Sequence, residues 1–183
     1  KSEHINPEYI SEMEKDIFRL QTITDRFSKV GSLPVLNKKD VVSETIKSFD
    51  YLKARSSKLI EFELEIPDNP IYVKLNKQLY SWAIENLVKN AIDAMKGKGK
   101  VTISIQKNTK SVYIFIADTG KGIPKKDFKT IFKPGYTTKK RGWGLGLSLT
   151  KRIIEDYHSG KIKVKQSEKG VGTTFQISLR LEE

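Results

Sequence analysis

The sequence predicts an α+β fold: a two-layer α/β sandwich, with a mixed sheet carrying helices on one face, preceded by a long helix. Three observations predict it. Stretches in which apolar and polar residues alternate, the signature of half-buried strands, recur from Leu59 to Leu181. Helical stretches are fewer and do not alternate one for one with the strands, which argues against a doubly wound parallel sheet. Finally, residues 1–33 carry a heptad pattern ahead of the first strand.

Taken in order, Asn6-Pro7 is a helix start, with Asn as N-cap and Pro in the first turn. Ile10, Met13, Ile17, Leu20, Thr24 and Phe27 follow at spacings of three and four, a seam interrupted only by Thr24. Gly31 and Pro34 end this helix. A lone helix cannot bury such a stripe, so a bundle or dimer seam is expected over residues 1–33, and a second domain over 34–183. In that domain a helix is expected from Asp40 to about Ala54, then a strand from Leu59 to Ile66 and a turn at Pro67-Asp68-Asn69-Pro70. A short extended piece at Tyr72-Val73 leads to a long helix from Asn76 to Met95, stopped by Gly97 and Gly99. Strands Val101 to Gln106 and Val112 to Asp118 meet at a tight turn around Asn108. Little periodicity follows until a helix from Gly146 to Tyr157, and the last strands, Lys161 to Gln166 and Thr173 to Leu181, flank Lys169-Gly170-Val171-Gly172.

Composition narrows the function. The chain has no cysteine, which excludes disulfides and thiolate chemistry and agrees with a cytoplasmic setting. No apolar run approaches the roughly 20 residues that cross a membrane. The opening Lys1-Ser2-Glu3-His4 reads as a cut through a longer protein, so any membrane anchor of the parent, such as one in an inner membrane, is expected upstream. A net charge of +12 invites a nucleic-acid reading. The lysines are scattered, however, without zinc-finger spacing or an aromatic RNA-binding pattern, so no nucleic-acid partner is expected and a polyanionic ligand or an acidic protein fits as well.

Three stretches carry chemistry. Asp118-Thr119-Gly120-Lys121-Gly122-Ile123-Pro124 delivers a carboxylate at a strand end, with two glycines that let the backbone turn or approach a ligand. Such a carboxylate accepts a hydrogen bond from an exocyclic amine such as that of adenine. On the long helix, Asn86, Asn90 and Asp93 lie at i, i+4 and i+7 and therefore on one face. Their oxygens suit a magnesium ion shared with phosphates, although a solvated polar face has the same spacing. Gly142-Trp143-Gly144-Leu145-Gly146-Leu147 runs into a helix, and glycine-rich backbone at a helix N-terminus seats phosphates. It is neither the G-x-G-x-x-G fingerprint after a strand nor a Walker A loop. Between these stretches, Ile131 to Lys140 has the length, hydroxyls and cations of a lid over a polyphosphate, or of an ordinary surface loop.

In this order the set resembles the ATP-binding domain of sensor histidine kinases, in the superfamily shared with gyrase, the ninety-kilodalton heat-shock chaperones and MutL. Glu85 to Ala91 matches the N box, Asp118 to Pro124 the first glycine box, Ile131 to Lys139 the F box and Gly142 to Leu147 the second glycine box. Gly172-Thr173-Thr174-Phe175 looks like the last box, and the likeness spans about Asp40 to Leu181. The resemblance implies a Bergerat-type fold with ATP and Mg2+ as cofactors. It gives Asp118 the adenine amine with Thr174 in support, and Gly120, Gly122 and Ile123 the shape of the base pocket. Asn90 would be the metal ligand with Asn86 beside it, these two as catalytic residues, and Asp93 would complete that face. Tyr136, Thr137, Thr138, Lys139 and Arg141 would line the nucleotide from the lid. Gly142, Gly144, Leu145, Gly146 and Leu147 would form the phosphate seat. Trp143 in place of a small residue, and Gly135-Tyr136 in place of an aromatic pair, depart from the family's pattern.

One position separates kinase from ATPase. The ATPases place a glutamate one turn before the magnesium asparagine, as a base for water; here that position is Asn86, and an amide takes no proton from water. Glu85 points about a hundred degrees away round the helix. Transfer to a histidine is therefore expected rather than hydrolysis, with a stand-alone ATPase or serine kinase, or a nucleotide-sensing module, as alternatives. His4 lacks the acidic neighbour and spacing of the family's acceptor, and His158 matches a structural position. Residues 1–33 thus read as the second helix of a dimerisation hairpin whose acceptor-bearing first helix lies upstream. The expected partners are a second copy through that hairpin and a response-regulator receiver domain.

Overall fold

The computed structural model describes residues 34–139 and 143–182. The helix and heptad seam expected over residues 1–33 lie outside the described residues. Asp40 closes the short strand β1 (Asn37–Asp40) and caps helix α1 (Val41–Arg55). Its Oδ1 accepts from Val42 N–H at 3.1 Å and from Ile71 N–H at 2.9 Å, and Oδ2 accepts from Ser43 N–H at 3.2 Å. One carboxylate thereby satisfies helix-terminal donors and fastens the helix start to the distant β3 strand (Tyr72–Leu75), which pairs antiparallel with β1. β1 is a strand that alternation did not predict, because Asn37-Lys38-Lys39-Asp40 offers no apolar face.

Helix α2 (Lys77–Ala94) begins at Asn76, whose Oδ1 accepts from Leu79 N–H at 3.2 Å. α1 packs on α2 through a buried hydroxyl pair, Thr45 Oγ1 with the Tyr80 hydroxyl at 2.6 Å, beside Ser48 and Ser81. Burial drives the Tyr80 hydroxyl pKa far above its ordinary value, so it stays protonated as a hydrogen-bonding group.

The main sheet holds β2 (Ile60–Glu65), β4 (Gly99–Lys107), β5 (Ser111–Asp118), β6 (Lys161–Glu168) and β7 (Gly172–Arg180) in the order β2-β4-β5-β7-β6. β2 and β4 are parallel and all other pairs antiparallel, the mixed sheet expected. Val101, Ile103, Ile105, Val112, Ile114 and Ile116 are buried on the face that meets α2, whose Ile84, Leu87, Val88 and Ala91 are also buried. Tyr113 and Phe115 stack on the other face, away from the described helices α1 and α2. At the β4–β5 turn Asn108 Oδ1 accepts from Lys110 and Ser111 N–H groups, the side-chain turn that explains asparagine there.

Helix α3 (Gly146–Arg152) widens into a π-helical turn at Ile153–Tyr157, ending at His158. Asn76 N–H donates to His158 Nε2 at 3.0 Å, so Nδ1 carries the proton and donates to Ile153 O at 2.7 Å. Burial holds the His158 pKa below its ordinary value. The folded protein therefore resists a proton that the unfolded chain accepts below about pH 6.5. Stability is expected to be full above that pH and to fall as pH drops through it. Urea midpoints at pH 7.5 and 5.5 measure this, and His158→Gln should flatten that part of the profile.

Candidate functional site

The site lies where β5, the end of α2 and the β6–β7 hairpin meet. β7 sits between β5 and β6, so its first residues face the end of β5: Asp118 pairs with Thr173 and Ala117 with Thr174. Asp118 is 8% exposed and its side chain shares the helix-covered face with Ile116. Oδ1 accepts from Gly120 N–H at 2.8 Å, and the Thr173 N–H also reaches the carboxylate. Burial raises its pKa, and the two N–H groups partly offset that rise. The result is a desolvated acceptor at a strand end, suited to an amine donor.

The glycines that follow are required by close approach. A Cβ on Gly120 would stand 2.8 Å from the Ala94 backbone, at the end of α2. Gly122 has φ +72°, and a Cβ there would overlap the Glu168 carbonyl. Lys121 N–H donates to Ala94 O at 3.1 Å, and Gly170 N–H donates to Lys121 O at 2.9 Å. The Asp118 turn is thus fastened to α2 on one side and to the β6–β7 hairpin on the other.

On α2, Asn86, Asn90 and Asp93 form one face. Asn86 Nδ2 is buried without a hydrogen-bond partner among the described residues. Its amide looks at the start of α3: a Cβ on Gly146 would lie 3.9 Å from Asn86 Cγ and Oδ1. Asn86 as a whole is half-buried, and its unpartnered nitrogen is a donor that suits a ligand oxygen. Lys139 Nζ donates to Asn90 Oδ1 at 2.9 Å and also pairs with Asp93. An ammonium held by these two oxygens is a stand-in for a cation, and the hard oxygen donors fit magnesium. Among the described residues no group of three His, Cys, Asp or Glu is placed to hold a metal by itself. Glu85 points elsewhere and pairs with Lys89.

The intervening segment is anchored at its start. Ile131 and Phe132 are buried, and Phe132 meets Phe175 edge to face at 6.3 Å. Gly135 N–H donates to Gly144 O at 3.0 Å; Gly144 has φ +65°, and a Cβ on it would lie 2.6 Å from Gly135 O. The segment from Tyr136 onward therefore springs from a pinched base. Within it, Thr138 Oγ1 accepts from Lys121 Nζ at 3.1 Å, and Thr137 Oγ1 accepts from Lys139 N–H at 3.1 Å. Desolvation, and secondly Asp127, raise the Tyr136 pKa. Trp143 is 64% exposed, while Leu145 and Leu147 are half-buried at the start of α3. Arg141 and Gly142 lie outside the described residues.

A sequence model of the family described as Histidine kinase-, DNA gyrase B-, and HSP90-like ATPase matches residues 76–183. The chain belongs to this histidine kinase-like ATPase family. Sporulation kinase C of Bacillus subtilis (strain 168) is 43% identical over 97 residues, covering 53% of this chain and 22% of that protein. Sporulation kinase E of the same organism is 32% identical over 179 residues, 93% of this chain and 23% of that one. Among solved structures, the histidine kinase ThkA in complex with the response regulator protein TrrA matches with a TM-score of 0.78 at 26% identity. That match covers 99% of this chain and 54% of the other. The chain spans about a fifth to a third of the length of the curated relatives it matches. Its fold is the Bergerat-type sandwich, and its ATP-binding domain is of the histidine-kinase kind.

Within that family frame the structure brings Asp118, Gly120, Gly122 and Ile123 to one turn, and Asn86, Asn90, Asp93, Lys139 and Gly146 to one adjoining face. It does not bring Thr174 to them. Thr174 pairs with Ala117 and its side chain lies on the open face of the sheet; the threonine that shares the Asp118 face is Thr173. Sequence reasoning missed Thr173 and Ser167. The phase of alternation along Thr173, Phe175, Ile177 and Leu179, all buried, is the signal that identifies the first.

Proposed function

We propose that this domain binds Mg-ATP and transfers the γ-phosphoryl group to a histidine of a helical hairpin, for relay to the aspartate of a receiver domain. The observation that carries the proposal is the side chain one turn before Asn90. It is Asn86, an amide facing the start of α3, while the neighbouring carboxylate, Glu85, is turned to Lys89. Among the described residues the position one turn before Asn90 holds an amide and not a carboxylate, and phosphoryl transfer depends chiefly on positioning and charge neutralisation.

In this reading Asp118 accepts from the adenine amine, and the backbone of Gly120 and Gly122 keeps the base pocket narrow. Asn90, with Asp93 beside it, receives the metal, which neutralises charge on the β- and γ-phosphates when bound. Lys139 leaves these oxygens and turns its charge to the phosphates. Asn86 supplies its unpartnered N–H to a phosphate oxygen. A nitrogen of the acceptor histidine then attacks the γ-phosphorus as the bond to the β–γ bridging oxygen breaks, leaving ADP. The likeness to ThkA, solved with its response regulator, supports a receiver domain as partner. The heptad seam of residues 1–33 supports dimerisation through a hairpin. No described helix is long and apolar enough to cross a membrane.

His158 is buried with both ring nitrogens engaged, so it is not the acceptor. With γ-labelled ATP and magnesium, the chain itself should stay unlabelled, and a supplied acceptor-hairpin protein should become labelled on histidine. Steady release of phosphate without acceptor would replace the kinase by an ATPase.

A further inference from the structure

Strand β6 changes phase part-way along. Ile162 and Val164 are buried on the helix-covered face, and strict alternation would bring Gln166 there next. Instead the register slips: Val164 pairs with Phe175 but Gln166 with Thr174, leaving Lys165 as an extra residue. This β-bulge turns Lys165 and Gln166 outward and Ser167 inward, opposite Thr173. Bulges next to functional sites re-aim a side chain in this way.

The re-aimed hydroxyl makes three contacts. Ile123 N–H donates to Ser167 Oγ at 2.7 Å, and Ser167 Oγ donates to Gly172 O at 2.9 Å. Thr173 Oγ1 lies 2.9 Å from Ser167 Oγ. A serine hydroxyl has one proton and two lone pairs. Its proton goes to Gly172 O and one lone pair to Ile123, so Thr173 is the donor to the other. Thr173 has then spent its only proton and turns lone pairs to its remaining surroundings, on the face it shares with Asp118.

We propose that Ser167 is a positioning residue that sets base specificity: it fixes Ile123 and holds the Thr173 hydroxyl as an acceptor beside the Asp118 carboxylate. Two neighbouring acceptors suit the exocyclic amine of adenine and oppose the carbonyl oxygen that guanine presents at the same ring position. A site built to pair a donor rejects an analogue that lacks it, because its own polar groups are left unpaired. Without Ser167 the Thr173 hydroxyl is free to rotate and donate.

The inference rests on the nucleotide reading above, and one set of titrations separates the two. Wild-type protein that fails to bind Mg-ATP by calorimetry overturns the nucleotide reading itself. Given wild-type binding, Ser167→Ala should lower the preference for ATP over GTP about tenfold. Both nucleotides carry the same triphosphate, so a disturbance of the lid or a loss of stability moves both affinities together and leaves their ratio alone. Ser167→Thr, which keeps the hydroxyl, should retain the wild-type ratio. A Ser167→Ala ratio within twofold of wild type, or a Ser167→Thr ratio as low as that of alanine, overturns the proposal. If Ser167→Ala does not fold, Thr173→Val tests the same bond from its other end, and an unchanged ratio there is equally decisive.

Discussion

Asp118→Ala is expected to raise the dissociation constant for ATP about a hundredfold, the loss of a hydrogen bond to a buried charged acceptor together with the unpaired amine left behind. The effect is large because the carboxylate is already desolvated. Its pKa is raised by burial, and the Gly120 and Thr173 N–H groups that hold it keep it oriented for another donor. Asp118→Asn keeps an acceptor oxygen but loses the charge, so it should fall between wild type and alanine. Acidification toward the raised pKa should weaken binding in wild type by protonating the same group, while Asp118→Asn should respond less. Calorimetric titration at pH 7.5 and pH 5 measures all of these. Unchanged affinity in Asp118→Ala would remove the base pocket from this turn.

Asn90→Ala is expected to act on transfer, not on the base. In a full-length protein with its acceptor histidine, it should lower kcat at least about a hundredfold, since metal-assisted charge neutralisation carries much of phosphoryl transfer. The affinity for adenosine, which brings neither phosphates nor metal, should stay within about twofold, because distant sites add independently. The variant also frees Lys139 from one of its two oxygen partners. A magnesium titration of the labelling rate checks the assignment, and a kcat near wild type with the same magnesium dependence would remove Asn90 from the metal site.

Much of the fold was legible because burial writes its period into the chain. The strands that became β2, β4, β5, β6 and β7 alternate, and Asn76, Gly97 and Gly99 bound the long helix. The polar face of Asn86, Asn90 and Asp93 was legible for the same reason, since helical spacing alone puts them together. β1 was not legible, because four polar residues carry no period and the strand exists only through its pairing with β3. The π-helical turn before His158 was equally hidden; it ends at the ring that accepts from Asn76 N–H at the start of α2.

By itself the sequence determined the order of the boxes, the carboxylate at the end of β5 and the amide at the position where an ATPase needs a base. Those are identities and spacings along one chain. Which threonine accompanies Asp118 was decided only by the tertiary structure, because strand register between β5 and β7 is a pairing of residues more than fifty positions apart. A one-residue change of register moves a side chain to the other face of a sheet. The same holds for Ser167, whose direction is set by the bulge at Lys165 and not by the residues on either side of it. The engagement of Asn90 and Asp93 by Lys139 likewise comes from tertiary packing, because it joins residues more than forty positions apart.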